Sequence, residues 1–226
     1  MLDMVKLTDE QKAFLAGLLD AEGALQINGR TIEIELGMTE YFEIFKWLSM
    51  IFNKKICIKH NNRYKPVFRI RLNGYDAYNF LLEIKDYFII KEDNADLLIK
   101  AYETKDYVFY RNALIPYTLK RGLINPMREF NIKIGKDLIN SYLHGAYVGD
   151  GSIYFRKTRN TFGGNFVNKY YNACKLFYEF CKFGCITYNK IGNLWLWCWE
   201  GNGCYRRLLE LGISKNLPSW LKEKNY

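Results

Sequence analysis

The sequence has 226 residues, 49% of them hydrophobic, and a formal net charge of +9 with a pI near 9.1. This length suits one large domain or two small ones, the apolar content excludes a disordered chain, and no apolar run approaches the ~18 residues that a membrane span needs. No signal peptide is recognisable, so we expect an intracellular protein, and the excess of Lys and Arg favours nucleic acid as a partner over a merely soluble basic protein.

The first half of the chain predicts a helix, two strands, a helix, two strands and further helices. Thr8 can cap the first helix, with Gln11 at the capping-box position, and Gly23 ends that helix. A turn at Gly29-Arg30 joins the first two strands. Alternating and helical spacings of apolar residues place strands at 24–28, 31–36, 55–60 and 67–72 and helices at 40–52, 75–87 and 92–108.

The second half predicts the same order of elements. Its helices fall at 136–149, 170–182 and 203–211, and its strands at 152–157, 162–168, 185–189 and 193–199. Each half is therefore an αββαββα unit with an antiparallel sheet, which defines an α+β fold of two pseudo-symmetric subdomains. We expect these subdomains at 1–108 and 135–226, with 109–134 as a linker that contains Pro116, Gly122 and Pro126.

A nine-residue pattern heads both halves. It runs LAGLLDAEG over 15–23 and LHGAYVGDG over 143–151, so the two copies are 128 positions apart (143 − 15). Matches continue downstream at nearly the same offset, with Cys57-Ile58 falling on Cys185-Ile186. A nearly constant offset over a whole subdomain indicates tandem related units and not an isolated motif.

Small residues in the pattern favour close packing of two helices. Gly17 and Ala21 are four positions apart, as are Gly145 and Gly149, so each pair lies on one stripe of its helix and lets two backbones approach. If the helices pack through these stripes, their C-terminal ends meet. These four residues are the predicted subdomain interface.

An acid at each helix end then predicts a metal site. Packing brings Glu22 and Asp150 together, and two adjacent carboxylates repel unless a cation lies between them. Oxygen ligands favour Mg²⁺, and the carbonyl groups at helix C-termini add negative potential. The alternative for either acid alone is an ordinary surface carboxylate before a helix cap.

The sheets offer a candidate nucleic-acid surface. A four-stranded sheet with helices on one face leaves the other face open, and the alternative for a polar open face is simple solvation. The candidate DNA-binding residues are Gln26, Asn28, Arg30, Lys59, Arg69 and Arg71 in the first half and Ser152, Tyr154 and Arg156 in the second.

The two motifs resemble those of the single-chain LAGLIDADG homing endonucleases, over nearly the whole chain from Leu7 onwards. The first copy differs from the family's name only at its fifth and eighth positions. The resemblance implies two sheets that form a DNA-binding saddle and a site-specific double-strand DNA endonuclease, active as a monomer on a long, mostly asymmetric duplex. It also implies cleavage across the minor groove that leaves 3′ overhangs.

The resemblance further implies that Glu22 and Asp150 bind divalent metal, with help from the carbonyl groups of Ala21 and Gly149. The ion would be Mg²⁺, with Mn²⁺ as a substitute and Ca²⁺ bound without cleavage, and it would activate water and stabilise the leaving 3′ oxygen. A basic residue near each scissile phosphate is also implied. Lys91 matches the first such position, and Lys224 is nominated for the second, with Lys215 as its rival.

Base recognition is expected from the strands. Arg69 and Arg71 are the candidates for guanine, and Glu33 and Glu35 could accept from cytosine or merely face solvent. The corresponding strand of the second half carries three alternating tryptophans, and packing under a helix is the favoured interpretation. These are Trp195, Trp197 and Trp199. The alternative is that they face the DNA and make the contacts there more apolar.

Two alternatives stay open on the same scaffold. One is an RNA maturase that assists splicing of its intron RNA, and the other is a non-catalytic DNA-binding protein, which the acids present in both motifs disfavour. The six cysteines contain no CxxC pair, which disfavours zinc, and we expect reduced, mostly buried thiols. The sequence does not distinguish an organelle, archaeal or phage host, nor does it give the target site.

Overall fold

A computed structural model of the chain describes residues 6–61, 64–117 and 125–222. The first half has the predicted order of elements, followed by one further helix. Its elements are α1 (Asp9–Glu22), β1 (Gly23–Asn28), β2 (Thr31–Met38), α2 (Phe42–Phe52), β3 (Cys57–Asn61), β4 (Tyr64–Asn73), α3 (Gly74–Ile84), α4 (Glu92–Thr104) and α5 (Tyr107–Ala113).

The second half repeats this arrangement, and the α+β fold of two pseudo-symmetric halves is thereby confirmed. Its elements are α6 (Ile139–Asp150), β5 (Gly151–Arg156), β6 (Thr161–Asn168), α7 (Tyr171–Cys181), β7 (Cys185–Asn189), β8 (Leu194–Glu200), α8 (Asn202–Glu210) and the short α9 (Ser219–Lys222), which the sequence patterns did not predict. Within the described residues, no helix is long and apolar enough to cross a membrane.

Each half contains one antiparallel four-stranded sheet. The strand orders are β1-β2-β4-β3 and β5-β6-β8-β7, so the same topology occurs twice. Helices cover one face of each sheet: Phe177 of α7, for example, contacts Phe166 and Trp197 of the second sheet. The opposite face of each sheet carries the side chains that alternate with this buried set.

The tryptophans of β8 belong to the covered face. Trp197 and Trp199 are buried, and Trp195 is half-buried against Tyr171 and Tyr188. Packing under a helix, the interpretation favoured from the sequence, is therefore what the structure has. The side chains that alternate with the tryptophans point to the open face.

The ends of α1 have specific local causes. Thr8 Oγ1 accepts a hydrogen bond from the Gln11 backbone N–H at 3.3 Å, and Gln11 Oε1 accepts from the Thr8 N–H at 3.0 Å, as the predicted capping box requires. The helix ends at Gly23, but not through a left-handed residue, because Gly23 is extended at φ −78°. Its role is steric: a Cβ atom there would lie 2.6 Å from the carbonyl oxygen of Leu19.

The predicted helix 92–108 and linker 109–134 differ from the structure. The helix stops at Thr104 because Lys105 adopts a left-handed conformation, and α5 then begins with Asp106 as its cap. The predicted linker thus starts inside a helix, and Gly122 lies outside the described residues. Further on, the Pro126 carbonyl accepts a hydrogen bond from the Tyr171 N–H at 2.8 Å, so this segment contacts the second half.

The cysteines also depart from expectation. All six are free, but only Cys174 and Cys181 are buried. Cys57 and Cys185 are exposed, and the remaining two are partly exposed. The expectation of mostly buried thiols was therefore wrong, because three cysteines lie on strands whose side chains alternate between the core and the open face.

The two motif helices, α1 and α6, pack against each other at the centre of the molecule. A Cβ atom on Gly17 would lie 2.0 Å from the Tyr142 carbonyl oxygen, and one on Gly145 would lie 1.9 Å from the Phe14 carbonyl oxygen. Only glycine permits these backbones to come so close. The helix ends, and the acids they carry, are consequently held side by side.

We predict that Gly17→Ala lowers the free energy of unfolding by at least about 3 kcal/mol, because the new methyl group meets backbone atoms that cannot move independently. Urea denaturation measures this loss. Gly203→Ala is the matched control: no atom lies within 4 Å of its added Cβ, so its effect should stay within about 1 kcal/mol. Equal effects of the two substitutions would contradict the proposed packing constraint.

Candidate functional site

Glu22 and Asp150 are the last residues of α1 and α6, and the helix packing brings them together. A Cβ atom placed on Gly149 would lie 3.0 Å from Glu22 Cγ and 2.5 Å from Ala21 Cβ. A larger residue at Gly149 would thus push the two helix ends apart. Ala21 and Gly149, the second small residues of the two stripes, therefore set the distance between Glu22 and Asp150.

Both acids are partly removed from water, which makes their negative charges unfavourable. The pKa of Asp150 is raised to about 7, mainly by burial and secondly by the Glu22 carboxylate. Burial also raises the pKa of Glu22, while two lysines, Lys91 and Lys215, oppose that rise. The pair therefore forms a partly desolvated centre of negative charge with cations beside it.

Lys91 is the first of these cations. It is partly buried, and its Nζ donates to the carbonyl oxygens of Leu19 at 2.6 Å and Gly23 at 2.7 Å. Burial lowers its pKa to about 8, against the raising effects of Asp20 and Asp150. The carbonyl groups at the end of α1 thus hold the Lys91 ammonium group next to the acids.

Lys215 occupies the corresponding position in the second half. Its Nζ donates to the carbonyl oxygens of Val148 at 2.6 Å and Tyr147 at 3.4 Å, at the end of α6. Burial lowers its pKa, and nearby acids including Glu22 and Asp150 oppose that change. Lys224, nominated from the sequence, lies outside the described residues, so the lysine observed beside the acids in the second half is its rival.

Sequence reasoning assigned no role to Asp20, the buried sixth residue of the first motif. Its carboxylate accepts hydrogen bonds from the backbone N–H groups of Ile89, Ile90 and Lys91 at 2.8–2.9 Å. It also accepts from the hydroxyl of Tyr142, on the opposite motif helix, at 2.6 Å. Burial raises the pKa of Asp20, and the Lys91 charge and these hydrogen bonds oppose the rise. An acid directly after an apolar helical run was the available signal.

The second half holds its lysine differently. Val148 stands where the first motif has Asp20, so no carboxylate is available there. Instead, His144 Nε2 donates to the backbone carbonyl of Asn216, the residue after Lys215, at 2.7 Å. His144 and Val148 both differ from the first copy of the motif. The segment that carries Lys215 is accordingly held by a hydrogen bond from a histidine and not by a carboxylate.

An open cleft lies beside the acids. Its lining includes Glu22, Tyr41, Gly149 and Lys215. The Lys215 ammonium group lies 5.5 Å from the centre of the Tyr41 ring. An anionic group that entered this cleft would meet the ammonium group and the acids together.

The open face of the first sheet carries a network of charges. Arg71 binds both Glu35 and Glu33, and Arg69 Nη1 lies 3.2 Å from Glu35 Oε1. Gln26 Nε2 donates to Glu33 Oε1 at 2.6 Å. Glu33 is only 2% exposed and so does not face solvent, since Gln26 and Arg71 cover it. The arginines and Gln26 are the accessible members of this network, and Glu33 holds Arg71 from below while Glu35 holds Arg69.

The other residues predicted to contact DNA lie at exposed positions of the first sheet and on the second sheet. Asn28 and Arg30 are exposed at the tip of the first hairpin, and Lys59 is exposed on β3. Ser152 Oγ donates to Asn165 Oδ1 at 3.0 Å on the open face of the second sheet. Tyr154 and Arg156 form a pair at the outer end of this face, where the Arg156 guanidinium lies 5.3 Å from the centre of the Tyr154 ring.

The side-chain donors available to a hard cation at this centre are two carboxylates, Glu22 and Asp150. Among the described residues, no group of three or more His, Cys, Asp or Glu side chains could hold a metal ion. Glu22 and Asp150 are two oxygen donors of the kind that Mg²⁺ prefers, and their desolvation and mutual repulsion would be relieved by a cation. Mg²⁺ commonly takes one or two carboxylates and completes its shell with water and substrate phosphate, so this pair is sufficient on the protein side.

No protein-family model and no curated protein sequence matches this chain. Its structure is similar to the LAGLIDADG homing endonuclease I-LtrWI bound to target DNA, with a TM-score of 0.65 and 14% identity over 95% of this chain and 87% of that one. It is also similar to the LAGLIDADG meganuclease I-AabMI bound to uncleaved DNA, with a TM-score of 0.63 and 15% identity over 94% and 87% of the two chains. A third match is I-SmaMI, a LAGLIDADG homing endonuclease bound to cleaved DNA, with a TM-score of 0.64.

These matches confirm, at the level of the fold, the resemblance that the two motifs indicated. The chain has the fold of the LAGLIDADG homing endonucleases, with both halves present in one chain. The three solved proteins named above are endonucleases bound to DNA.

Asp20 provides a test of how the site is held. We predict that Asp20→Asn lowers the free energy of unfolding by about 2–4 kcal/mol, because an amide NH₂ would face buried N–H donors and leave them unpaired. Tyr142→Phe removes only one of the four donors and should cost about 1–2 kcal/mol. Urea denaturation of both variants gives the comparison. Surface substitutions usually change stability by no more than about 0.5 kcal/mol, so a loss smaller than that for Asp20→Asn would contradict the role assigned to its carboxylate.

Proposed function

We propose that this protein is a LAGLIDADG homing endonuclease that hydrolyses both strands of a specific DNA duplex with the help of a divalent metal ion. The observation that carries the proposal is the adjacent pair of acids, Glu22 and Asp150, flanked by the partly buried ammonium groups of Lys91 and Lys215. This centre lies at the junction of two sheets whose open faces are available to a duplex.

Glu22 and Asp150 are the residues that would hold the metal, and Mg²⁺ suits their oxygen donors. When bound, such an ion activates water for attack on phosphorus and stabilises charge on the leaving oxygen. The protein's own part is to keep the carboxylates paired and partly dry, which the glycine contacts between α1 and α6 achieve. I-SmaMI has been crystallised on uncleaved DNA in the presence of calcium ions, which supports divalent metal use on this fold.

The two lysines are proposed to stabilise the negative charge that develops on each scissile phosphate. With a pKa of about 8, Lys91 is mostly protonated at neutral pH. Both ammonium groups are already held by backbone carbonyls, so little reorganisation is needed when the phosphate arrives. A fixed cation in a site with little water stabilises charge more strongly than a solvated one.

The proposed partner is a long duplex, contacted through the major groove by both sheets. The net charge of +9 favours binding to the phosphate backbone. Both motif copies lie in one chain, so a monomer would supply both halves of the site, at 1–108 and 135–226, and the target would be asymmetric. Cleavage across the minor groove with 3′ overhangs completes the proposal.

The nuclease proposal is tested on the DNA that flanks the gene's insertion site, incubated with the protein and Mg²⁺. Wild type should cut both strands, and the double variant Glu22→Gln/Asp150→Asn should lose at least about 100-fold in rate because the metal ligands are gone. Glu10→Gln, at the opposite end of α1, is the matched control and should cut normally. No cleavage by wild type, or unchanged cleavage by the double variant, would overturn the proposal.

The lysine assignment has its own test. Lys91→Met and Lys215→Met should each reduce the cleavage rate by about 10- to 1,000-fold, since each removes a preorganised charge. Lys224→Met should leave the rate unchanged if Lys215 is the second cation. The opposite outcome, with Lys224→Met impaired and Lys215→Met active, would restore the assignment made from the motif alone.

A further inference from the structure

The open faces of the two sheets have equivalent backbones, so their residues can be compared one by one. In the first sheet Glu35 pairs with Arg71 across β2 and β4, and in the second Asn165 pairs with Cys198 across β6 and β8. One step along the same face towards the centre, Gly37 pairs with Arg69, and Val167 pairs with Leu196. The shared strand order and register make these positions structural equivalents.

The comparison shows that charge is lost across the inner part of the second face. Five positions that are charged in the first sheet carry uncharged residues in the second. Glu33, Glu35, Lys59, Arg69 and Arg71 are replaced by Gly163, Asn165, Asn189, Leu196 and Cys198, in that order.

Two of the replacement residues, Leu196 and Cys198, form an accessible apolar patch together with Val167, which stands where the first sheet has Gly37. Leu196 alternates with the tryptophans that point towards the helices, and both it and Val167 are only partly buried. Thr187 lies opposite Leu196 on β7, and its hydroxyl is 3.8 Å from Cys198 Sγ. We call Val167, Leu196 and Cys198 the apolar patch.

Among the described residues of this face, an ion-pair cluster lies at the outer end. Glu200 binds Arg156 at 2.9 Å and Arg159 at 3.2 Å. Nearby, the Tyr154 ring lies over Gly163, where an added Cβ would be 2.7 Å from the ring. Arginines paired in this way suit phosphate contacts at the edge of the groove, which leaves the base edges to the apolar patch.

We propose that the second half recognises its DNA half-site through thymine methyl groups, which contact the apolar patch in the major groove. The proposal rests on the proposed function and specifies its substrate. Among the groups that base pairs present in the major groove, the thymine methyl is the one that apolar side chains match. The first half, with Arg69 and Arg71 on its face, has the chemistry for guanine instead. The target would therefore be rich in thymine, near the cleavage centre, on the side that the second half contacts.

The experiment uses deoxyuridine, which differs from thymidine only by the missing methyl group. A tight-binding duplex is first obtained by selection from a random-sequence library with the wild-type protein. Deoxyuridine then replaces thymidine in one half-site at a time, and affinity is measured by fluorescence anisotropy in calcium buffer. We expect about a fourfold loss for each methyl removed opposite the apolar patch, and little loss in the other half-site.

A variant links the effect to the patch. Leu196→Ala should abolish the preference for thymidine over deoxyuridine in the second half-site, and because Leu196 lies on the open face the fold should tolerate it. Leu209→Ala is the matched control: it removes the same atoms from an exposed leucine of α8, on the helix side, and should keep the preference.

The outcomes separate this inference from the function on which it rests. A selected duplex that is bound tightly but tolerates deoxyuridine equally in both half-sites would overturn methyl recognition and leave the nuclease proposal standing. A thymidine preference that survives Leu196→Ala would also overturn it. Failure to select any duplex would overturn both proposals.

Discussion

The backbone contact between α1 and α6 is the constraint on which the other functional features depend. Because Gly17 and Gly145 have no side chain, a backbone carbonyl group of the opposite helix lies directly against each of them. A single methyl group at either position would push the two helices apart. This contact joins the two halves and brings Glu22 and Asp150 together. A shift of the helices would change the interface and the acids together.

The same contact creates an unfavourable concentration of charge, which the surrounding residues compensate. Burial raises the pKa of both acids, and the Glu22 carboxylate raises that of Asp150 further. Lys91 and Lys215 lie beside the acids, and burial lowers the pKa of each lysine. Each lysine is held by the carbonyl end of its own motif helix, and in the first half Asp20 also fixes the backbone around Lys91. Such stored electrostatic strain is typical of sites that bind a cation and act on a phosphate.

The two halves share a backbone but have diverged in their chemistry. Asp20 holds one lysine segment, and His144 contacts the other. The first open face is charged and the inner part of the second is apolar, with Arg69 and Leu196 at equivalent positions. A duplicated fold of this kind keeps the residues that packing requires and lets the exposed positions adapt separately, which suits an asymmetric partner.

The sequence alone determined the duplication, the order of elements, the glycine contact and the two acids, because these depend on local periodicity and on residue types repeated at a fixed offset. It left Lys215 and Lys224 as rivals, since only the folded chain shows that the Lys215 ammonium group lies at the end of α6. It could not place Glu33 beneath Arg71 or identify the apolar patch, because both follow from strand register across hairpins of different length. Contacts between residues far apart in the chain were decided by tertiary packing, which fixes neighbours that no local pattern encodes.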